Sequence, residues 1–107
     1  MKWVKFEDQG KTSYGVLDGE TVTVAENSWE EILSGAPVAG AGTVAVDDVK
    51  LLCPMERPGK IVAIGLNYLD HCKEANMPVP ERPLVFTKFT TSIVGPGDEI
   101  IWSESLS

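Results

Sequence analysis

Lys60-Ile61-Val62-Ala63-Ile64-Gly65-Leu66-Asn67-Tyr68-Leu69-Asp70-His71-Cys72-Lys73-Glu74 decides how this chain is read, and it carries the one histidine of the 107 residues. Lys60 to Ile64 is an apolar, β-branched run, which predicts a buried strand. Asn67 is a helix-capping residue type, so a helix over Tyr68 to Ala75 is expected at the strand's end. On such a helix His71 and Glu74 stand three residues apart, near enough for the carboxylate to orient the imidazole. An imidazole held in that way can take a proton from water or from a carbon acid near neutral pH. The junction of a strand with a helix leaves these side chains at the rim of a sheet, where a ligand can reach them.

Working outward, Leu84 to Phe89 and Glu99 to Trp102 read as strands. The triple-proline stretch Met77 to Pro83 excludes regular helix, and Gly95-Pro96-Gly97-Asp98 reads as a turn. Toward the N-terminus the pattern is that of a small antiparallel β module. Lys2 to Phe6, Thr12 to Leu17 and Thr21 to Ala25 alternate as strands, with turns at Gly10-Lys11 and Asp18-Gly19. Ser28-Trp29-Glu30-Glu31 matches a capping box, so a short helix should run to about Leu33 and stop at Gly35. Ala36 to Gly42 reads as a loop and Val49 to Cys53 as a short strand. Pro54 to Gly59, with two prolines and a glycine, is the expected boundary between modules. Trp3, Trp29 and Trp102 are core candidates.

Composition narrows the function. The formal charge of −7 argues against a nucleic-acid surface. The acidic excess lies in residues 1–56, with four Lys against ten Asp/Glu; residues 57–107 hold five Lys/Arg against six. An anionic substrate is therefore easier to accommodate near His71. No apolar run reaches membrane-spanning length, the N-terminus lacks a signal peptide's apolar core, and the cytoplasm is the default compartment. Cys53 and Cys72 read as reduced thiols there. Two cysteines and one histidine, without a CxxC or HxxxH spacing, argue against a zinc site.

From Pro58-Gly59-Lys60-Ile61 to Asp98-Glu99-Ile100 the chain resembles the start of the catalytic domain of the fumarylacetoacetate hydrolase family. The matching pieces are Lys60-Ile61-Val62, Gly65 to His71, Glu74, the Pro-rich Met77 to Pro83, Phe86-Thr87-Lys88, and Ile93 to Asp98. Residues 1–58 resemble the small N-terminal module of many bacterial members. The resemblance implies an α+β, mainly β fold: an N-terminal β module over 1–58, then over 59–107 an incomplete mixed β-roll with a short helix carrying His71. It further implies metal-assisted hydrolysis, decarboxylation or tautomerisation of small 2-oxo or β-diketo acids, as in aromatic catabolism. His71 would move the proton or activate water, Glu74 would be its carboxylate partner, and Lys88 would bind substrate. The residues from Cys72 to Pro83 match a lid. The family's Mg²⁺ or Mn²⁺ is held by a Glu-x-Glu pair and a later Asp. Ser103 to Ser107 resembles the lead-in to that motif, and Glu104 has no carboxylate two residues on. No metal is therefore expected on this chain, only in its parent, and the chain is expected to be inactive alone.

Each residue also has a plainer reading. Asp70 suits the first helical turn as a complement to the dipole. Lys88, between Phe86 and Phe89, can lay its stem over apolar surface. Asn67 caps and Tyr68 packs with its hydroxyl satisfied. A Cys72–His71 nucleophile is excluded, because adjacent helical residues point about 100° apart. The rival function is a non-catalytic module that self-associates, as a homodimer or otherwise, through uncovered β edges. No nucleic acid and no membrane is expected as a partner.

Overall fold

A computed structural model describes residues 1–106. It is mainly β, with two short α-helices and antiparallel sheets, which agrees with the α+β, mainly β expectation. Packing divides the chain into two compact units. One holds the first 56 residues together with the segment from Ile93 onward, and the other is Arg57–Ser92.

In the first unit, strands β1 (Lys2–Asp8), β2 (Lys11–Asp18), β3 (Thr21–Ala25), β4 (Gly40–Ala45) and β5 (Lys50–Leu52) form one antiparallel sheet in the order β4-β3-β2-β1-β5. Two-residue loops join the first three strands. Gln9 and Gly10 both take positive φ, 49° and 80°, as the right-handed twist of a tight hairpin demands. Gly19, at φ 59°, opens the second loop. Both loops lie one residue from the pairs read in the sequence, because Asp8 pairs with Lys11 and Asp18 with Thr21.

The core gathers Phe6, Gly15, Val22 and Ala25, all buried. Gly15 is there for want of space. A Cβ on it would lie 2.5 Å from Val22 Cγ1 and 2.7 Å from the Thr23 carbonyl oxygen. The bare backbone lets Val22 and Phe6 close over the middle of the sheet.

Helix α1 (Trp29–Leu33) carries the expected capping box: the Glu31 N–H donates to Ser28 Oγ at 3.2 Å, and the Ser28 N–H donates to Glu31 Oε2 at 2.9 Å. The helix closes through Gly35 at φ 76°. Beyond it, the stretch read as a loop is partly strand. Asn27, buried, donates to the Pro37 carbonyl at 3.0 Å and accepts from the Ala39 N–H at 2.7 Å. That tie delivers Gly40 opposite Ala25, and the ladder with β3 then satisfies the backbone that small residues alone would not order.

Two expectations fail in the same unit. Glu99 to Trp102 forms no strand and lies exposed; strand propensity does not make a strand without a neighbouring ladder and a surface to pack on. Trp102 is correspondingly 72% exposed rather than core, whereas Trp3 and Trp29 are half-buried. The Gly95 to Asp98 turn does form. The Gly95 N–H donates to Asp98 Oδ2 at 2.8 Å, the Asp98 N–H donates to the Gly95 carbonyl at 3.2 Å, and Lys50 Nζ lies 3.9 Å from Asp98 Oδ1.

The second unit is a pair of antiparallel strands, β6 (Ile61–Gly65) and β7 (Leu84–Lys88), paired from Ile61 opposite Lys88 to Gly65 opposite Leu84. Between them lie helix α2 (Leu69–Glu74) and the proline-rich stretch.

Candidate functional site

The helix with the histidine is shorter than its sequence suggests. Tyr68, not Asn67, is the N-cap, and it makes no side-chain capping bond. Leu66 at φ 49° turns the chain first, so Asn67 is spent in the junction and the helix starts two residues beyond it. Tyr68 is 73% exposed, which corrects the expectation that it packs. Asp70 is in the first turn, where a carboxylate favours the positive end of the helix dipole.

The far end of α2 is closed by a recurrent hydrogen-bond pattern. The Asn76 N–H donates to the Lys73 carbonyl at 3.1 Å and the Met77 N–H donates to the Cys72 carbonyl at 2.9 Å, with Asn76 left-handed at φ 50°. This is the Schellman arrangement, with asparagine in the place glycine usually takes. Cys72 is the buried side chain of α2, 3% exposed, and its Sγ lies 3.9 Å from the Leu66 carbonyl oxygen as a weak donor. A shallow cavity of about 390 Å³ beside the helix is lined by Leu69, Cys72, Lys73, Met77 and Val79 among others; His71 and Glu74 are not in its wall.

With Cys72 turned inward, His71 and Glu74 fall on the exposed side of α2, three residues apart. Among the described residues no hydrogen bond or ion pair joins them. Lys88, also exposed, ends β7 opposite Ile61 and shares a strand face with Phe86 and Leu84. No ion pair among the described residues includes it. Nor do three His, Cys, Asp or Glu side chains gather to hold a metal ion among those residues. Ser107, the last residue of the C-terminal lead-in, lies outside the described residues.

A second polar cluster, missed in the sequence, sits on the first unit. Tyr14 Oη donates to Glu56 Oε1 at 2.5 Å, and Lys5 Nζ donates to the same oxygen at 3.3 Å. Tyr14 stacks on Trp29 with ring centroids 5.8 Å apart, and Lys5 Nζ is 5.6 Å from the Tyr14 centroid. Burial first, then the Glu56 carboxylate, raises the Tyr14 hydroxyl well above its ordinary range. The hydrogen bonds from Tyr14 and Lys5 hold the Glu56 carboxyl below its usual range. Lys5 and Tyr14 are cross-strand partners, a juxtaposition that the two-residue hairpin could have revealed. Nothing local announced Glu56.

Two family models match this chain: "Rv2993c-like, N-terminal" over residues 1–54 and "Fumarylacetoacetate (FAA) hydrolase C-terminal" over residues 60–106. The human mitochondrial oxaloacetate tautomerase FAHD2A is 46% identical over 85 residues, covering 77% of this chain and 27% of that protein. The Xenopus laevis mitochondrial oxaloacetate tautomerase fahd2 is 55% identical over 53 residues, covering 50% of this chain and 17% of its own length. Among solved structures, a Mycobacterium abscessus protein superposes with TM-score 0.73 at 29% identity, over 98% of this chain and 40% of that one. A fumarylacetoacetate hydrolase from Exiguobacterium antarcticum gives TM-score 0.69 at 31% identity, over 94% and 39%. The chain thus spans about a quarter of the length of the human relative.

Proposed function

Because the chain belongs to the fumarylacetoacetate hydrolase family, we propose that it is part of an enzyme acting on a small 2-oxo or β-diketo acid, with His71 and Glu74 as the proton-transfer pair. The observation that carries this reading is the placement of both residues on the open side of α2, at the end of β6, inside the segment that matches the family model. Of the family's reactions, tautomerisation is favoured, because the human and Xenopus laevis relatives are named oxaloacetate tautomerases.

In that reaction His71 removes a proton from the carbon beside the oxo group, and a proton is delivered to the oxo oxygen. One C–H bond breaks and one O–H bond forms, with no net oxidation. Glu74 orients the imidazole and stabilises its protonated form. Lys88 supplies a cation for the substrate carboxylate. Decarboxylation and hydrolysis are the alternatives: each breaks a C–C bond, with loss of CO2 or after addition of water, and leaves the enolate of the shortened product, which His71 would then protonate on carbon.

The Mg²⁺ or Mn²⁺ that the family resemblance implies belongs to the longer parent. The described residues gather no ligand set for it, and no step above runs through it. The same reading assigns the 107 residues alone no turnover. No helix among the described residues is long and apolar enough to cross a membrane, and free Cys53 and Cys72 are compatible with the proposed cytoplasmic compartment.

The test uses the protein extended to the length of its relatives, with oxaloacetate in deuterated water. Catalysed entry of deuterium at the carbon beside the oxo group supports tautomerisation. Accumulation of pyruvate ahead of exchange supports decarboxylation instead. Neither process above the uncatalysed rate would overturn both the tautomerase and the decarboxylase readings.

A further inference from the structure

Helix α2 has six residues, well below the roughly 12–15 at which an isolated helix becomes even marginal in water. What directs His71 and Glu74 therefore lies at the helix ends and beneath it. At the leading end only Leu66, Asn67 and Tyr68 separate β6 from α2, and no side chain caps the first turn. In place of a cap there is a conformation: Leu66 stands at φ 49°, a left-handed state that a bulky residue seldom takes. Its carbonyl oxygen then lies 3.9 Å from the Sγ of buried Cys72. With Cys72 turned toward that carbonyl, His71, its neighbour, stands about 100° round on the open side of α2.

Backbone outliers of this kind concentrate where geometry must be held. We propose that the left-handed backbone of Leu66 is a positioning element for the His71–Glu74 pair, setting the direction in which α2 leaves β6 and so where imidazole and carboxylate point. The proposal rests on reading that pair as the proton-transfer apparatus. It adds a specific claim, namely that the conformation at residue 66 matters more than its side chain.

Two substitutions separate conformation from packing. Leu66→Asn sacrifices the apolar side chain but tolerates the left-handed state; Leu66→Val stays apolar but, being β-branched, resists it. In the 107-residue chain, NMR reads two things: hydrogen exchange at the Cys72, Ala75 and Met77 amides, which all bond within or around α2, and the χ1 couplings of His71 and Glu74. Leu66→Asn should keep both close to the parent values. Leu66→Val should exchange at least about tenfold faster at those amides, with averaged χ1 couplings, while the five-stranded sheet exchanges as before. The reverse order would overturn the proposal in favour of side-chain packing, and so would equal behaviour of the two variants. If Leu66→Val fails to order the second unit, that counts as loss, and Leu66→Asn decides. No part of this measurement uses turnover, so the proton-transfer reading stands or falls separately.

Discussion

Glu56 shows at the scale of one residue what spacing along the chain conceals. It lies in the proline-rich stretch read only as a boundary, yet its carboxylate receives bonds from Tyr14 and Lys5, 42 and 51 residues away. Register explains half of this: the Gln9-Gly10 hairpin places Lys5 opposite Tyr14, which the sequence contains. The path of residues 46–56 back to β1 is tertiary and has no local signal. The bonds carry a pH signature. With its folded carboxyl below the ordinary range, Glu56 contributes stability that is complete above the unfolded carboxylate pKa and is lost as the pH falls through the folded value. Tyr14 is shifted upward, so its contribution is complete below about pH 10, the unfolded tyrosine value, and declines as the pH rises beyond it. Denaturant midpoints between pH 7 and pH 3 should therefore fall more for the parent than for Glu56→Gln, which starts lower and has no carboxylate to titrate there. Equal slopes would show that the cluster is not coupled to folding.

Elements were legible where local chemistry and pairing agree. The first three strands, the capping box of α1 and its stop at Gly35 follow from turn and cap residues that act within a few positions. Strand β4 was not legible, because Gly40-Ala41-Gly42 has little strand propensity and is ordered by β3 and by Asn27. Glu99 to Trp102 is the converse: it has strand propensity but no ladder. For α2 the spacing of His71 and Glu74 was readable, while the start was not, since the left-handed turn at Leu66 has no residue-type signal. The end of α2 yields a prediction. Asn76 at φ 50° should accept glycine with a change in stability within about 0.5 kcal/mol, whereas Asn76→Ala should cost about 1 kcal/mol. Thermal unfolding of the two variants checks this, and an alanine variant as stable as the glycine one would contradict the Schellman assignment.

At the scale of the whole molecule, much apolar surface stands open to solvent. On β6 and β7 one strand face carries Val62, Ile64 and Val85, at 63%, 51% and 63% exposure, and an isolated two-stranded sheet is marginal in water. Phe89, Ile100, Ile101 and Trp102 are also bare. We propose that the 107-residue chain self-associates through such surface; sedimentation should show a mass that rises with concentration, and a monomer throughout would count against it. The central claim, however, is that His71 moves a proton. In the protein extended to its relatives' length, His71→Ala should lower turnover of oxaloacetate by roughly 10²–10⁴-fold, the range for losing a general acid–base, with melting temperature little changed. Full turnover in His71→Ala, with only the melting temperature lowered, would contradict the account.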